Sequence, residues 1–472
     1  MTGRPVAESP EFSGTDFRQL SFWHDTSGES LQPRPRLDAD LDVDVAVVGG
    51  GFTGLWTAYY LAQADPSLRI AVLEKHIAGF GASGRNGGNI SGARYAMSLD
   101  RLAKESGRDA ALAQYRAMDM AFHSIEKVVA ENGIDCDWVS SGSLAMARTP
   151  LQLETARADV NHRRTWGFGE DDVQLLSQQE MSERIGATGV LGGTFSPKAA
   201  TAHPAKLARG VARLVESLGV TIYEQTPATS IDSGVVETPG GTVRAQVVVR
   251  ALEGYTALLK GHKRALTPLY SMMLATEPLS DDFWSRAGLH HRESFGDYRH
   301  LIIYGQRTAD NRFAFGGRGA PYYFGSSIRR QYETAQDFFP KLRASLVELF
   351  PEVEKATVTH TWGGVFASSR DWHPSAGYDR TQRLAWAGGY AGGGVTAANL
   401  AGQTLADLIT GRGTELTALP WANHRSPQWE IEPARWIGIN ASLHAMAGVD
   451  RKEARTGRPT KRARAIGRLM GH

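Results

Sequence analysis

Hydrophobic residues along the chain alternate between short unbroken runs and helically spaced sets, beginning with a run from Val43 to Val48. A short Val-rich run of this kind is typical of a buried parallel strand. From Leu55 onward apolar residues recur at helical spacing, and a second run, from Arg69 to Leu73, indicates the next strand. The pattern therefore predicts a strand, a helix and a second strand over residues 43–73.

Later patterns predict an insertion and then a return to alternating strands and helices. The expected elements are a helical region from Ser98 to Asn132, a strand from Ser143 to Ala147, a helix from Leu151 to Trp166, a helix from Ala205 to Leu218, a strand from Val220 to Glu224, a hairpin within Val235 to Val249, a half-buried antiparallel strand around Arg312 to Phe315, and a helix from Ala397 to Ile409.

The 472 residues exceed what one typical domain needs, so we expect two interleaved domains, one α/β and one α+β with an antiparallel sheet. The expected boundaries are an N-terminal extension over 1–40, a cofactor domain over 41–97, 190–262 and 360–412, a substrate domain over 98–189 and 263–359, and a C-terminal extension over 413–472.

A glycine-rich turn, Gly49 to Gly54, lies between the first strand and its helix. Backbone without side chains approaches a pyrophosphate closely, and the helix N-terminus stabilises its negative charge. Glu74 ends the second strand about 20 residues later, where a carboxylate binds a ribose diol. The turn contacts only the ADP half that NAD and FAD share, so it leaves both open. The candidate contacts are Gly49, Gly51, Phe52, Thr53, Gly54, Glu74 and Lys75.

A second glycine-rich run, Gly79 to Asn89, is too long for a simple turn. Glycine is favoured where a ligand lies against the main chain, and the polar side chains in this run add hydrogen-bond donors. Because the run directly follows the dinucleotide strands, we expect the cofactor to continue along it. The candidate contacts are Gly81, Ala82, Ser83, Arg85, Asn86, Gly87 and Gly88.

A third glycine-rich turn, Gly388 to Thr396, again separates a strand from a helix. Its helix N-terminus would stabilise the negative charge of a reduced flavin, a need that NAD does not have, so this turn favours FAD. The candidate contacts are Gly389, Tyr390, Gly392, Gly393, Gly394, Val395 and Thr396.

Substrate contacts are expected from the segment between Leu266 and Phe350, which is rich in aromatic residues and arginine, and from its surroundings. Tyr304, Trp362 and Tyr390 are the candidates. The catalytic residues stay unassigned, because no Ser/His/Asp or paired-carboxylate set stands out, and no metal site is expected. His203 stands at the start of a helix, where an ordinary hydrogen bond is the expected role.

Composition and charge narrow the class of protein. No apolar run is long enough to cross a bilayer, and the N-terminal residues do not have the pattern of a secretory signal. Cys136 is the only cysteine, so no internal disulfide can form. We therefore expect a cytoplasmic protein. Residues 451–472 carry a net charge of +7, which leaves −5 for the rest of the chain. No aromatic residue interleaves these cations, so a solvated tail is expected, without a nucleic-acid partner.

These motifs together resemble the FAD-dependent D-amino-acid oxidase superfamily, over about residues 20–440. Within it, the run Gly81 to Gly88 and the sequence Trp362-Gly363-Gly364 are most similar to the gamma-glutamylputrescine oxidase group of amine oxidoreductases.

The resemblance implies a GR2-type Rossmann-like FAD domain and an antiparallel-sheet substrate domain. It also implies oxidation of a substrate C–N bond by hydride transfer to flavin N5, with reoxidation by dioxygen or another acceptor. Some relatives attach flavin through a cysteine, or through a histidine in the loop that here contains Ser83 to Arg85. Cys136 lies outside the motifs and that loop has no histidine, so we expect noncovalent FAD.

Several alternatives stay open at this point. The substrate could be a gamma-glutamylated amine, a D-amino acid, sarcosine or glycine, and the enzyme could be an oxidase or a dehydrogenase. From other classes, an NAD-dependent dehydrogenase and a nucleotide-binding protein without enzymatic activity remain. The oligomeric state is not indicated.

Overall fold

The computed structural model describes residues 16–460, except 318, 320, 321 and 336. Parts of the two expected extensions, residues 1–15 and 461–472, therefore lie outside the described residues. Over the described part, no helix is both long enough and apolar enough to span a membrane.

Eighteen strands are described. In chain order they are β1 (Leu41–Val48), β2 (Ile70–Leu73), β3 (Asn89–Ser91), β4 (Ser143–Ala147), β5 (Gln174–Leu176), β6 (Gly192–Ser196), β7 (Ala199–Thr201), β8 (Thr221–Tyr223), β9 (Ser230–Asp232), β10 (Val235–Thr238), β11 (Gly241–Arg250), β12 (Thr267–Thr276), β13 (Ser294–Asp297), β14 (Ile303–Arg307), β15 (Phe313–Gly317), β16 (Val358–Ser368), β17 (Ser375–Asp379) and β18 (Leu384–Gly388).

Thirteen α-helices connect or cover these described strands. They are α1 (Phe22–Asp25), α2 (Phe52–Ala64), α3 (Ala82–Arg85), α4 (Leu99–Ser106), α5 (Arg108–Glu131), α6 (Pro150–Thr165), α7 (Gln178–Arg184), α8 (Pro204–Ser217), α9 (Asp281–Ala287), α10 (Arg330–Glu333), α11 (Phe339–Leu349), α12 (Gly394–Thr410) and α13 (Ala434–Thr456). Short 3₁₀ segments cover Phe17–Leu20, Glu253–Leu258, Phe324–Ser326, Pro351–Lys355 and Glu415–Ala418.

The first sheet has the order β17-β18-β11-β1-β2-β8, and the hairpin strands β9 and β10 extend from β11. Its central strands are parallel, and β17 and β10 add antiparallel edges. Strand β2 and the second half of β1, from Val45 to Val48, are buried because helices cover them, as is usual for a parallel sheet. The predicted Rossmann-like unit is confirmed.

The second sheet has the order β16-β12-β15-β14-β13-β4-β6-β5. Its neighbours are antiparallel apart from the parallel pair β13 and β4. The predicted antiparallel sheet is therefore present, and it includes β4 and β5 from the segment 98–189 together with β6, which follows that segment. A small ribbon of β3 and β7 lies apart from both sheets.

Two segments pack across the expected domain boundaries. Helices α4 and α5 contribute Leu102, Met118 and Phe122 to the core that contains α2 and α12, although residues 98–189 were expected in the substrate domain. Strand β16 belongs wholly to the second sheet, although a boundary was expected at residue 360. The domain boundaries themselves stay a prediction.

The start of the described chain packs against the second glycine-rich run, Gly79 to Asn89. Trp23 Nε1 donates to the Asn86 carbonyl at 2.8 Å, and the ring of His24 lies against Gly84. His203 caps α8 by accepting from the Lys206 amide at 3.2 Å, which confirms the ordinary role expected for it. The segment before β1 is therefore part of the framework of the site.

Candidate active site

A cavity of about 1190 Å³ is lined by residues of both sheets and all three glycine-rich segments. Pockets for drug-sized ligands have about 300–1,000 Å³, so this cavity has room for an extended ligand. One end is formed by the turn after β1 and by residues 73–76, and another part is formed by strands β4, β13 and β14. The cavity therefore connects the predicted dinucleotide site with the second sheet.

The first turn is shaped by glycines that have no space for a side chain. Gly49 has a φ of +113°, and a Cβ there would collide with the Ala251 carbonyl oxygen. A Cβ on Gly54 would collide with the carbonyl oxygen of Gly49, so Gly54 lets α2 start against the end of β1. Gly51 caps α2 without a side-chain hydrogen bond. An anion at this helix end would meet backbone N–H groups and the positive end of the helix dipole.

Glu74 lies beside this turn with its carboxylate held by the main chain. Oε2 accepts from the Gly50 amide and Oε1 from the His76 amide, each at 2.8 Å. Burial raises the pKa of Glu74 to about 7, although both amides oppose the shift. Each oxygen keeps a lone pair, so the carboxylate could also accept from a ribose diol.

The second glycine-rich run contains a one-turn helix, α3, within what was expected to be a loop. Ser83 Oγ accepts from the Phe52 amide at 2.8 Å and so joins this run to the first turn. Asn86 Oδ1 accepts from the Gly88 amide at 2.8 Å. A Cβ on Gly88 would collide with the carbonyl oxygen of Ala202, which explains the glycine by packing.

Arg85 is a buried cation at the wall of the cavity. Its Nη1 lies 2.7 Å from Glu333 Oε2, and its Nε donates to the Phe80 carbonyl at 2.7 Å. Its Nη2 is buried and has no hydrogen-bond partner in the described part of the chain. Trp362 donates to the Arg85 carbonyl at 2.9 Å and is only 2% exposed. Trp362, which was predicted as a substrate contact, thus packs behind the cavity wall and is not among the residues that line the cavity.

The third glycine-rich turn is tied to the first turn and to β16. The Tyr390 hydroxyl lies 3.0 Å from Thr53 Oγ1. Glu253 accepts from the Gly389 amide at 2.8 Å and from the Ala367 amide at 3.2 Å, and burial raises its pKa to about 7. Sequence patterns did not identify Glu253 as a site residue. The only feature that could have indicated it is its position shortly after the end of β11.

Helix α12 starts at the cavity with no side-chain cap on Gly393. Thr396 Oγ1, in its first turn, is buried without a hydrogen-bond partner among the described residues. An uncapped helix end with an unpartnered hydroxyl is suited to an electronegative group of a ligand.

The part of the cavity formed by the second sheet contains Tyr304 and Arg94. The ring of Tyr304, on β14, lies over Gly87, and its hydroxyl contacts Ser271 Oγ. Arg94 is surrounded by protein atoms, yet its side chain is exposed where it lines the cavity, and the described residues include no carboxylate in an ion pair with it. Burial lowers the pKa of Arg94, and the nearby Tyr304 opposes this shift. Arg94 was missed from the sequence, although it follows closely on the second glycine-rich run.

Most of the predicted site residues meet at this one cavity. Gly54, Gly88, Gly389 and Trp362 are the predicted residues that do not line it. Those that line it are Gly49, Gly51, Phe52, Thr53, Glu74, Lys75, Gly81, Ala82, Ser83, Arg85, Asn86, Gly87, Tyr304, Tyr390, Gly392, Gly393, Gly394, Val395 and Thr396.

These features fit FAD in the cavity. Two uncapped helix ends, the Glu74 carboxylate and the unpartnered atoms Arg85 Nη2 and Thr396 Oγ1 all lie along it. The first turn and Glu74 suit the ADP half, and the other two glycine-rich segments suit the flavin half.

Comparisons with known proteins agree with this geometry. The family described as "DAO: FAD dependent oxidoreductase" matches residues 44–408. The gamma-glutamylputrescine oxidoreductase of Escherichia coli (strain K12) is 30% identical over 398 residues, covering 83% of this chain and 89% of that protein. The sarcosine oxidase subunit beta of Arthrobacter sp is 27% identical over 406 residues, covering 81% and 90% of the two chains.

Solved structures share the fold. Glycine oxidase from Geobacillus kaustophilus superimposes with a TM-score of 0.68 at 23% identity, covering 82% of this chain and 100% of that one. L-Proline dehydrogenase from P. horikoshii gives a TM-score of 0.65 at 20% identity, covering 81% and 96%.

Proposed function

The chain belongs to the FAD-dependent oxidoreductase (DAO) family, and we propose that it oxidises the C–N bond of an amine that also carries a carboxylate. Gamma-glutamylputrescine is the first candidate, because it has both groups and because the Escherichia coli relative at 30% identity bears its name. With FAD as the cofactor, an NAD-dependent dehydrogenase is no longer a candidate. A cytoplasmic location and a role in polyamine catabolism belong to the same proposal.

The observation that carries the proposal is Arg94. A guanidinium that opens onto the cavity without an ion-pair partner among the described residues is a favourable site for a substrate carboxylate. Arginine binds carboxylates through paired N–H groups, and such charge-assisted contacts are the strong ones. Tyr304 lies close to this cation and adds an aromatic wall with a hydroxyl at its edge.

The cofactor end of the cavity would be held mainly by the backbone. The N-terminus of α2 would offset the charge of the pyrophosphate, and Glu74 would accept hydrogen bonds from the ribose. The N-terminus of α12 and the Thr396 hydroxyl would face the ring end. When bound, FAD accepts the hydride of the substrate C–H bond next to nitrogen.

The remaining task of the protein is to position the amine and remove its extra proton. Arg94 would fix the carboxylate and so orient the reacting carbon, which lowers the barrier by positioning. Two other charged groups at the wall are already engaged, since Arg85 pairs with Glu333 and Asp297 pairs with Arg299 at 2.6 Å. We assign substrate selection to Arg94, which has no such partner among the described residues.

A substrate panel tests the proposal. The FAD-loaded enzyme should be mixed without oxygen with gamma-glutamylputrescine, putrescine, sarcosine, glycine and several D-amino acids, following the loss of flavin absorbance. We expect gamma-glutamylputrescine to bleach the flavin and putrescine, which lacks the carboxylate, to do so poorly. Peroxide formation in air, compared with turnover of a dye, then distinguishes oxidase from dehydrogenase. If no amine or amino acid bleaches the flavin, the proposal is wrong.

A further inference from the structure

A group of buried polar side chains lies between the cavity and the protein surface. Tyr95 lines the cavity, and its ring lies edge-on to that of His373, with centroids 6.3 Å apart. His373 is only 2% exposed. The Tyr95 hydroxyl and both ring nitrogens of His373 are buried without hydrogen-bond partners in the described ranges. Since buried polar groups are nearly always hydrogen-bonded, three neighbouring unpartnered polar atoms need a functional explanation.

A second histidine continues the group to the surface. The rings of His373 and His424 lie 4.0 Å apart and are tilted by 33°. His424 Nε2 lies 2.8 Å from Asp371 Oδ2, and the two side chains are 24% and 15% exposed. The side chains therefore lead from the cavity wall, through a buried imidazole, to an ion pair that meets solvent.

Burial keeps the His373 imidazole neutral. Burial lowers the pKa of His373 to about 4, with His424 and Arg101 adding to the effect and Asp371 opposing it. On its other side, Glu105 Oε2 lies 4.0 Å from His373 Nδ1. A neutral imidazole has one nitrogen that donates and one that accepts, so it can take up a proton on one side while releasing one on the other.

Metal binding does not explain the group. The part of the chain that the structure describes contains no set of three or more His, Cys, Asp or Glu side chains placed to hold a metal ion. Ordered water commonly joins buried polar groups that lack protein partners, and a water bridge is nearly as favourable as a direct hydrogen bond. Hydroxyl, imidazole and carboxylate groups joined in this way can conduct protons.

We propose that Tyr95, His373, His424 and Asp371 form a proton path from the bound substrate to the surface. The proposal rests on the proposed function, because amines with a pKa of about 10 arrive mostly as ammonium ions. An N–H bond of the ammonium breaks and its electron pair stays on nitrogen. The proton moves to the Tyr95 hydroxyl, which passes its own to one nitrogen of His373, and the other nitrogen releases a proton through His424 and Asp371 to solvent.

Stopped-flow reduction tests the path with Tyr95→Phe and His373→Gln. Gamma-glutamylputrescine should be mixed with each FAD-loaded variant without oxygen at pH 6 to 9.5, following flavin absorbance and, with an indicator dye, proton release. At pH 7 we expect both rates to fall by about 10²-fold, the lower end of what positioned proton transfer contributes. The deficit should shrink as the pH approaches the amine pKa of about 10, because more substrate then arrives deprotonated. Added imidazole should partly restore His373→Ala.

The matched control is His300→Gln, since His300 also pairs with a carboxylate, Glu453 at 2.9 Å, and does not line the cavity. It should behave like the unmodified enzyme. If a buried variant does not fold, as judged by thermal unfolding, His424→Gln at the exposed end provides the same comparison. A deficit that is equal at every pH, or none at all, overturns the path. Failure of every amine to bleach the unmodified enzyme instead overturns the proposed function.

Discussion

The two ends of the cavity are built in different ways. At the first glycine turn the ligand would meet mostly main chain, fixed by steric limits at Gly49 and Gly54 and by Glu74. At the second sheet it would meet side chains such as Arg94 and Tyr304. The backbone end suits a cofactor that many proteins share, whereas the side-chain end can change its substrate by single substitutions.

The largest expected effect tests the backbone end. Gly54→Ala would force a methyl group into the Gly49 carbonyl oxygen and should destabilise the protein by about 3 kcal/mol, at the upper end for overpacking, with loss of FAD. Thermal unfolding and the flavin-to-protein absorbance ratio measure this. Gly438→Ala is the control, because nothing lies within 4 Å of its added methyl group. Normal FAD content in Gly54→Ala would contradict the steric account.

The next effect tests the side-chain end. Arg94→Gln should lower kcat/KM for gamma-glutamylputrescine by about 10- to 100-fold, since a hydrogen bond to a charged group contributes about 1.5–3 kcal/mol. Putrescine, which has no carboxylate, should be oxidised equally by both forms, and FAD content should not change. Arg94→Lys should recover part of the loss. An equal loss for both amines would show that Arg94 acts on something other than the carboxylate.

Glu74 at the backbone end should show the opposite pattern, with weaker FAD binding and an unchanged reaction with substrate. Glu74→Ala should weaken FAD binding by about tenfold, because a charged acceptor for the ribose is lost. Once FAD is saturating, the rate at which substrate bleaches it should stay close to that of the unmodified enzyme. Equilibrium dialysis and anaerobic stopped-flow measure the two quantities. A slowed reduction with FAD fully bound would show that the two ends are not independent.

The smallest effect concerns pH and Glu253. Its folded pKa of about 7 lies above the ordinary value for glutamate, so the folded protein without FAD holds a proton that the unfolded chain releases. This stabilising contribution is complete below about pH 4 and is lost as the pH rises through 7. Glu253→Gln cannot titrate and should flatten the urea-unfolding profile between these values. An unchanged slope would contradict the shift.

The two ends of the cavity also differ in how far they can be predicted from the sequence. The strand, turn and helix around Gly49 to Gly54 form one local pattern, so both the element and its ligand class were predictable. Glu333 contacts Arg85 from 248 residues away, and such proximity has no signal in a single sequence. Trp362 was predicted to contact the substrate and packs behind the cavity wall, because an aromatic residue beside glycines gives the same sequence signal in both positions.

An anaerobic titration tests whether FAD and a carboxylate-bearing amine share this cavity. Purified enzyme should be titrated without oxygen with gamma-glutamylputrescine and, separately, with putrescine, while the flavin spectrum is recorded. We expect a yellow protein that gamma-glutamylputrescine bleaches efficiently and putrescine only poorly, a difference that Arg94→Gln removes. A colourless protein, or a flavin that both amines bleach equally well, would contradict it.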